Sequence, residues 1–510
     1  MIDAAAPVAE TTSGKVSGYL KDGIRVFKGI PYGADTRSQR FRAPQPPKAW
    51  AGVRESTRYG ERSPQNVRRG GGLLGGGPPE VDGENCLVLN VWTPAIADGA
   101  KRPVMVWLHG GGYTSLSGSS GGYDGTRLCN RGDVVVVTLN HRLNIFGYLY
   151  LPKLLGQDFA DSGHVGMLDI IQALEWVRDN IANFGGDPGN VMIFGESGGG
   201  GKVMTLMASP KAQGLFHKAA VQSGSLLICI DEANATDNAY GYLEALGLQS
   251  NEASKLLDMP MEALVAGLPA MGDGPASLRN LGPVIDQRNL FGDLIAPESL
   301  AVSADIPLIV GTNTDEMTLL LGASNQKLFD LSWDQLPGEL ASHLPDLDPA
   351  AIIAQLRQAR PDASASDLFF AVTAERFFRQ ASTIQAARKT ALGAAPAWHY
   401  EMTWKSPAMG GRMGAMHALE IPFVFDNVEK SRALLGEGEE PQAIAEQMSP
   451  AWLAFAHTGD PNNPGTPDWP TYDSGTRQTM VFDVKSRVEA DRQADLRRIL
   501  HVIEPMRIRK

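Results

Sequence analysis

Short apolar runs recur along the chain at Cys86 to Trp92, Val104 to His109, Val134 to Asn140, Val191 to Phe194, Ala219 to Gln222 and Ile306 to Val310, with amphipathic stretches between them. A strand that is apolar at consecutive positions buries both faces, which requires helices on either side and predicts a large, mainly parallel, twisted sheet of the α/β class. Leu168 to Phe184 carries apolar residues at helical spacing and is stopped by Gly185-Gly186-Asp187-Pro188, so it is predicted as a crossover helix feeding the next strand. Nearer the N-terminus, Gly14 to Ile30 holds two β-prone runs around Asp22-Gly23, a pair suited to the positive φ of a tight turn, and is predicted as an edge hairpin.

From 324 to 406 the pattern turns helical, most clearly over Ala374 to Leu392, and predicts helices that cover the sheet and wall a pocket. No linker, long charge run or internal repeat divides the chain, so residues 1–510 are expected to form a single domain. Residues 68–79 are too rich in glycine for regular structure and read as a surface loop, in which Arg68 and Arg69 are expected as a solvated pair.

Composition narrows the class. With 43% hydrophobic and 20% charged residues the chain has the balance of a soluble globular protein. A net charge of −11, without clustered Lys and Arg, is the wrong sign for nucleic acid as a partner. Cys86, Cys129 and Cys229 are scattered, with no metal-ligand spacing, so neither a metal nor a disulfide framework is expected. Met1 to Glu10 lacks the basic start and apolar run of a signal peptide, and residues 133–139, among the most apolar, fall far short of the ~20 residues of a membrane helix. A soluble monomer is expected, in the cytoplasm or, after loss of a leader, outside it.

The chemistry concentrates at four places. Gly195-Glu196-Ser197-Gly198-Gly199 follows one apolar run and precedes a predicted helix from Gly200 to Met207, the context in which a G-x-S-x-G serine sits on a strained turn with its Oγ exposed. His109-Gly110-Gly111-Gly112-Tyr113 follows an earlier run, and its glycines can turn backbone N–H groups inward; Gly111 and Gly112, with the N–H of Gly198, are the candidate oxyanion donors. Among nine histidines, His141 and His399 lie in strand-like runs and His343 and His501 stand among polar neighbours. His417 instead lies between a glycine-bearing loop and the apolar stretch Ile421 to Phe425, and it satisfies the chain order serine, acid, histidine. The acid must follow a late strand, where Asp315 and Glu316 are both available and spacing does not separate them.

Several of these segments carry a resemblance. Phe184 to Gly199 (FGGDPGNVMIFGESGG), Glu84 to Val91 (ENCLVLNV), Phe27 to Tyr32 (FKGIPY), His141 to Gly147 (HRLNIFG), Leu215 to Ser225 (LFHKAAVQSGS) and His417 to Phe425 (HALEIPFVF) resemble the type-B carboxylesterases, the family of carboxylesterases, cholinesterases and bacterial p-nitrobenzyl esterases. The resemblance implies an α/β-hydrolase fold and hydrolysis of small-molecule carboxylic esters through an acyl-enzyme, with no cofactor. It implies Ser197, Glu316 and His417 as the triad, supports Gly111, Gly112 and Gly198 as oxyanion donors, and gives Glu196 and Ser223 supporting roles. Arg42 and Glu84 match a structural ion pair. The alternatives are a non-catalytic adhesion protein of the same fold, or an amidase or carbamate hydrolase.

The chain also departs from the family pattern. Gly198 stands where Ala is usual, Ala418 where Gly is, and Asn85 with Val88 breaks the second signature. Ser63 occupies the place of a cysteine that would pair with the one matching Cys86, so the resemblance implies that this disulfide is absent.

Overall fold

The computed structural model describes residues 6–66, 80–227, 229–272, 277, 280–345 and 347–500. Its organising element is an 11-stranded sheet. In chain order the strands are β1 (Tyr19–Lys21), β2 (Ile24–Pro31), β3 (Val88–Thr93), β4 (Arg102–Leu108), β5 (Val135–Leu139), β6 (Gly186–Glu196), β7 (Lys218–Gln222), β8 (Leu308–Asn313), β9 (Ala397–Met402), β10 (Gln478–Phe482) and β11 (Arg487–Ala490). Across the sheet they lie in the order β11-β10-β9-β8-β7-β6-β4-β5-β3-β2-β1. The block from β10 to β5 is parallel, and antiparallel strands finish both edges.

The apolar runs follow from burial on both faces. In β4, Val104, Val106 and Leu108 enter one core while Met105 and Trp107 enter the other. Val135 and Val137 of β5 are divided from Val136 in the same way. Such strands cannot alternate polar and apolar residues, because neither face meets water. The expected edge hairpin is β1 and β2, in antiparallel register about Asp22 and Gly23, both at positive φ. The residues before it depart from the prediction: Gly14–Ser17 pairs instead with Val8–Thr11 and Val53–Glu55 in a separate three-stranded sheet.

The crossover helix α1 (Val165–Asn180) continues as a tighter turn through Phe184 and ends at Gly185, whose φ of 78° no β-carbon obstructs. The segment 324–406 is only partly helical. It contains the helices Leu336–Ala341, Pro349–Ala359, Ala365–Ala374 and Gln380–Ala391, but Ala397–Met402 leaves this layer and enters the sheet as β9, buried throughout. A wide π turn, Glu375–Arg379, joins the third and fourth of these helices. Arg68, Arg69, His501 and the glycine-rich loop lie outside the described residues.

The ion pair expected between Arg42 and Glu84 is formed by Arg40 instead. Arg40 meets the Glu84 carboxylate with two parallel bonds, Nε to Oε2 at 2.7 Å and Nη2 to Oε1 at 2.5 Å, and also donates to the carbonyls of Leu256, Leu257 and Met259. Arg42 lies at the surface, stacked 4.4 Å from the Phe159 ring centre and 3.6 Å from Asp158. Phe41, at φ 61°, turns the backbone between the two arginines, so that Arg40 faces the interior and Arg42 does not. At the other position singled out by comparison with the family, Ser63 Oγ accepts the N–H of Leu143 at 2.9 Å, and Cys86 is a buried free thiol.

Candidate active site

Strand β6 delivers Glu196, and helix α2 (Gly198–Met207) begins immediately after Ser197. The turn between them forces Ser197 to φ 56° and ψ −125°, a conformation that costs an L-residue about 1–3 kcal/mol. The surroundings hold it there: Ser197 N–H donates to Gln222 O at 2.8 Å, and Ser197 O accepts from Gly201 N–H at 3.1 Å. Glycine is required on either side. A β-carbon at Gly195 would stand 2.6 Å from the carbonyl carbon of Gly199, and one at Gly199 would stand 1.9 Å from Leu108 O.

The same close contact brings the glycine loop to the serine. Gly110 lies against the side chains of Glu196 and Ser197, and a β-carbon at Gly198 would be only 2.2 Å from Gly112 O. Gly111 and Gly112 adopt φ 83° and 60°. Among the described residues, neither of their N–H groups donates to another protein group. Gly198, the first residue of α2, has no acceptor for its N–H within the helix. The glycine loop and the start of α2 therefore lie in close contact beside Ser197.

Asp315 and Glu316 follow β8 and point differently. Asp315 accepts the N–H of Ala415 at 2.8 Å and so pins the loop that carries His417. Glu316 is fully buried; its Oε1 accepts the N–H of Asn313 at 2.8 Å, and its Oε2 lies 2.5 Å from His417 Nδ1. The imidazole is turned so that Nε2 lies 3.1 Å from Oε1 of Glu196, the residue preceding Ser197. That contact is at ion-pair distance but is not aligned as a hydrogen bond. The Phe378 ring, from the π turn, packs 5.1 Å from the imidazole centre. Ala418 adopts φ 68°, a conformation for which the glycine usual there in the family is suited. Ser223 lies at the end of β7 at φ 47°, with its hydroxyl buried and without a protein partner among the described residues.

Two buried groups here were not picked out from sequence. Glu420 accepts from Asn313 Nδ2 at 2.6 Å and Gln222 Nε2 at 3.2 Å, and Gln222 Oε1 in turn accepts from Trp452 Nε1 at 3.1 Å. Lys202, in the first turns of α2, is fully buried. The signal for Glu420 was its place three residues after His417, on the same face of a turn; Lys202 carried none, since a helical lysine ordinarily faces water.

The profile of the carboxylesterase family matches residues 5–498. The chain belongs to the carboxylesterase family. The para-nitrobenzyl esterase of Bacillus subtilis is 34% identical over 97% of this chain and 98% of its own length. The phenmedipham hydrolase of Pseudarthrobacter oxydans is 32% identical over 93% and 94%. The crystal structure of a Geobacillus stearothermophilus carboxylesterase superposes with a TM-score of 0.85 at 36% identity, covering 96% of this chain and 99% of that one. The protein is thus a carboxylic ester hydrolase of the α/β-hydrolase fold, acting on small-molecule esters. No helix among its described residues is long and apolar enough to cross a membrane.

In this carboxylesterase three buried carboxyl groups surround a single buried imidazole. Burial pushes Glu196 up to about 8; His417 opposes the rise, and Glu420 and Glu316 add to it. Burial likewise raises Glu420, with Glu316 reinforcing. For His417 burial favours the neutral ring, but Glu196 and then Glu316 outweigh it and lift the imidazole to about 9. With His417 acting as a base, which works only when neutral, kcat/KM is expected to fall as pH drops through this value. Glu196→Gln removes the largest charge favouring imidazolium and is expected to move the acid limb of the kcat/KM profile down by about one pH unit or more. A limb that stays in place, or rises, would show that Glu196 does not set the protonation of His417.

Proposed function

We propose that the esterase acts through Ser197 as nucleophile, His417 as general base and Glu316 as the acid that orients it. The observation that carries this is the Glu316 to His417 Nδ1 bond of 2.5 Å, which turns the opposite ring nitrogen toward the strained elbow where Ser197 begins α2. In this scheme Oγ attacks the ester carbonyl while Nε2 takes its proton. The N–H groups of Gly111, Gly112 and Gly198 hold the resulting oxyanion. The tetrahedral intermediate then expels the alcohol, which receives the proton from imidazolium, and leaves an acyl-enzyme. Water, deprotonated by the same nitrogen, releases the acid. Glu316 stabilises the imidazolium throughout without itself taking a proton.

The remaining residues have supporting parts. Glu196 sets the charge of the imidazole, and Ser223 shapes the backbone where β7 passes the elbow. In this reading the helices of segment 324–406 wall the pocket, and the π turn between them supplies Phe378 beside the imidazole.

The test is covalent. A fluorophosphonate probe, whose phosphorus is a tetrahedral mimic of the attacked carbonyl, is expected to stop hydrolysis of p-nitrophenyl butyrate at one equivalent. Peptide mass spectrometry is expected to place the adduct on Ser197. An inactivated enzyme labelled elsewhere would overturn the assignment.

A further inference from the structure

A lysine with no exposed surface stands directly behind the oxyanion loop. Lys202 lies one turn past Ser197 in α2, and its Nζ donates to the carbonyl of His109 at 2.9 Å. That carbonyl belongs to the last peptide before Gly110, Gly111 and Gly112. The ammonium also lies 5.6 Å from the ring centre of Tyr113, the residue that closes the loop on its far side. No carboxylate approaches within ion-pair distance of it among the described residues.

Stability alone does not require this arrangement. Apolar groups that fill the same volume are commonly as stable as a buried charge, or more so, and a desolvated ammonium is costly. What the position offers is control of the loop. Three consecutive glycines have no side chains with which to fix their peptide planes, yet an oxyanion site works only when its N–H groups are already aimed. The loop is tied at Tyr113, whose carbonyl accepts the N–H of Asn144 at 2.7 Å. Within it, the Gly111 carbonyl accepts the N–H groups of Thr114 and Ser115 at 3.2 and 3.1 Å, and His109 Nδ1 lies 2.9 Å from the Gly110 carbonyl; at its start Lys202 adds the tie from the elbow helix.

We propose that Lys202 is a positioning residue for ester hydrolysis, its Nζ donating to the His109 carbonyl so that the Gly111 and Gly112 N–H groups are held on the reacting oxygen. The inference rests on the oxyanion assignment proposed above. This clamp links the elbow helix to the loop, so the nucleophile and the oxyanion donors keep one spacing. The charged and titratable groups that face Lys202 are Glu196 from β6, His109 from the loop, His141 from the segment after β5, and Tyr113. His109 and His141 stack at 5.1 Å and are held neutral, by burial first and then by the neighbouring ammonium. Burial lowers Lys202 itself to about 7, against the opposing pull of Glu196.

Wild type, Ser197→Ala, Lys202→Met and Lys202→Gln are compared as folded proteins, with active sites counted by fluorophosphonate titration in the wild type and the Lys202 variants and by protein concentration in Ser197→Ala. The readouts are kcat per active site and KM for p-nitrophenyl butyrate, and the affinity of an aryl trifluoromethyl ketone, which forms a tetrahedral oxyanion on the serine. Lys202→Met is expected to lower kcat about ten- to a hundredfold, the scale of a misplaced reacting group, with KM within about twofold, and to weaken the ketone by the same factor. Lys202→Gln, which keeps a shorter, uncharged donor, is expected to fall between. A purely structural lysine would reduce the number of active sites but leave both constants per site unchanged, and that result would overturn the proposal. Should Lys202→Met not fold, Lys202→Gln decides on the same readouts: a joint fall supports the clamp and unchanged constants refute it. Wild-type turnover that vanishes in Ser197→Ala keeps the esterase scheme standing whatever Lys202 does, so the two failures are distinguishable.

Discussion

Ser197→Ala is expected to lower kcat for p-nitrophenyl butyrate on the order of a million-fold, while the protein folds and unfolds thermally much as wild type does. The substitution deletes one oxygen and leaves the elbow in place, because Ala at φ 56° bears the same backbone strain and the same bonds to Gln222 and Gly201 hold it. What disappears is the acyl-enzyme route. The Gly111, Gly112 and Gly198 amides remain, so a residual rate about a thousand- to ten-thousandfold above water is expected from oxyanion stabilisation and binding alone. A variant with wild-type kcat would remove Ser197 from the chemistry altogether.

Glu316→Gln is expected to cost about ten-thousandfold in kcat, with KM little changed. The reason lies in the two bonds its carboxylate makes. Oε1 accepts from Asn313 N–H and Oε2 from His417 Nδ1, so both oxygens act as acceptors at once. An amide has only one oxygen. If that oxygen stays on Asn313, the amide NH2 meets Nδ1 as a donor, and the ring must carry its proton on Nε2, where it cannot accept one from Ser197. If the amide flips, Asn313 N–H faces another donor in a fully buried site, and the charge that stabilises imidazolium is gone in either case. Retention of activity within about tenfold would show that His417 is oriented by something other than Glu316.

How much of this was legible in the sequence depended on whether backbone or side-chain direction carried the information. The runs around Val104 and Val135 pointed to a sheet buried on both faces, since short runs apolar at consecutive positions, with helical patterns between them, suit strands covered on both sides. The elbow and the glycine loop were visible because their backbone geometry admits few residue types, as the contacts of Gly195, Gly199 and Gly198 show. Side-chain direction was not visible. Arg40 and Arg42 are separated by a single residue, and only the turn at Phe41 decides which of them reaches Glu84. Asp315 and Glu316 are neighbours with opposite tasks, one pinning a loop and the other reaching the imidazole. Lys202 and Glu420 were missed for a related reason. A charged residue is read as solvated until the fold shows that it has been enclosed, and that enclosure depends on segments distant in the chain.

The parts of the site also emerge from the ribosome at different times. The glycine loop, the elbow and the strands that hold them precede β8 and the His417 loop by a large fraction of the chain. A vectorially synthesised polypeptide thus presents its hydroxyl and amides well before any base can reach them. On the proposed roles, hydrolytic competence waits until the chain has been made through His417, and the segment that follows it, Ile421 to Phe482, completes the core on which Trp107 and Phe194 pack.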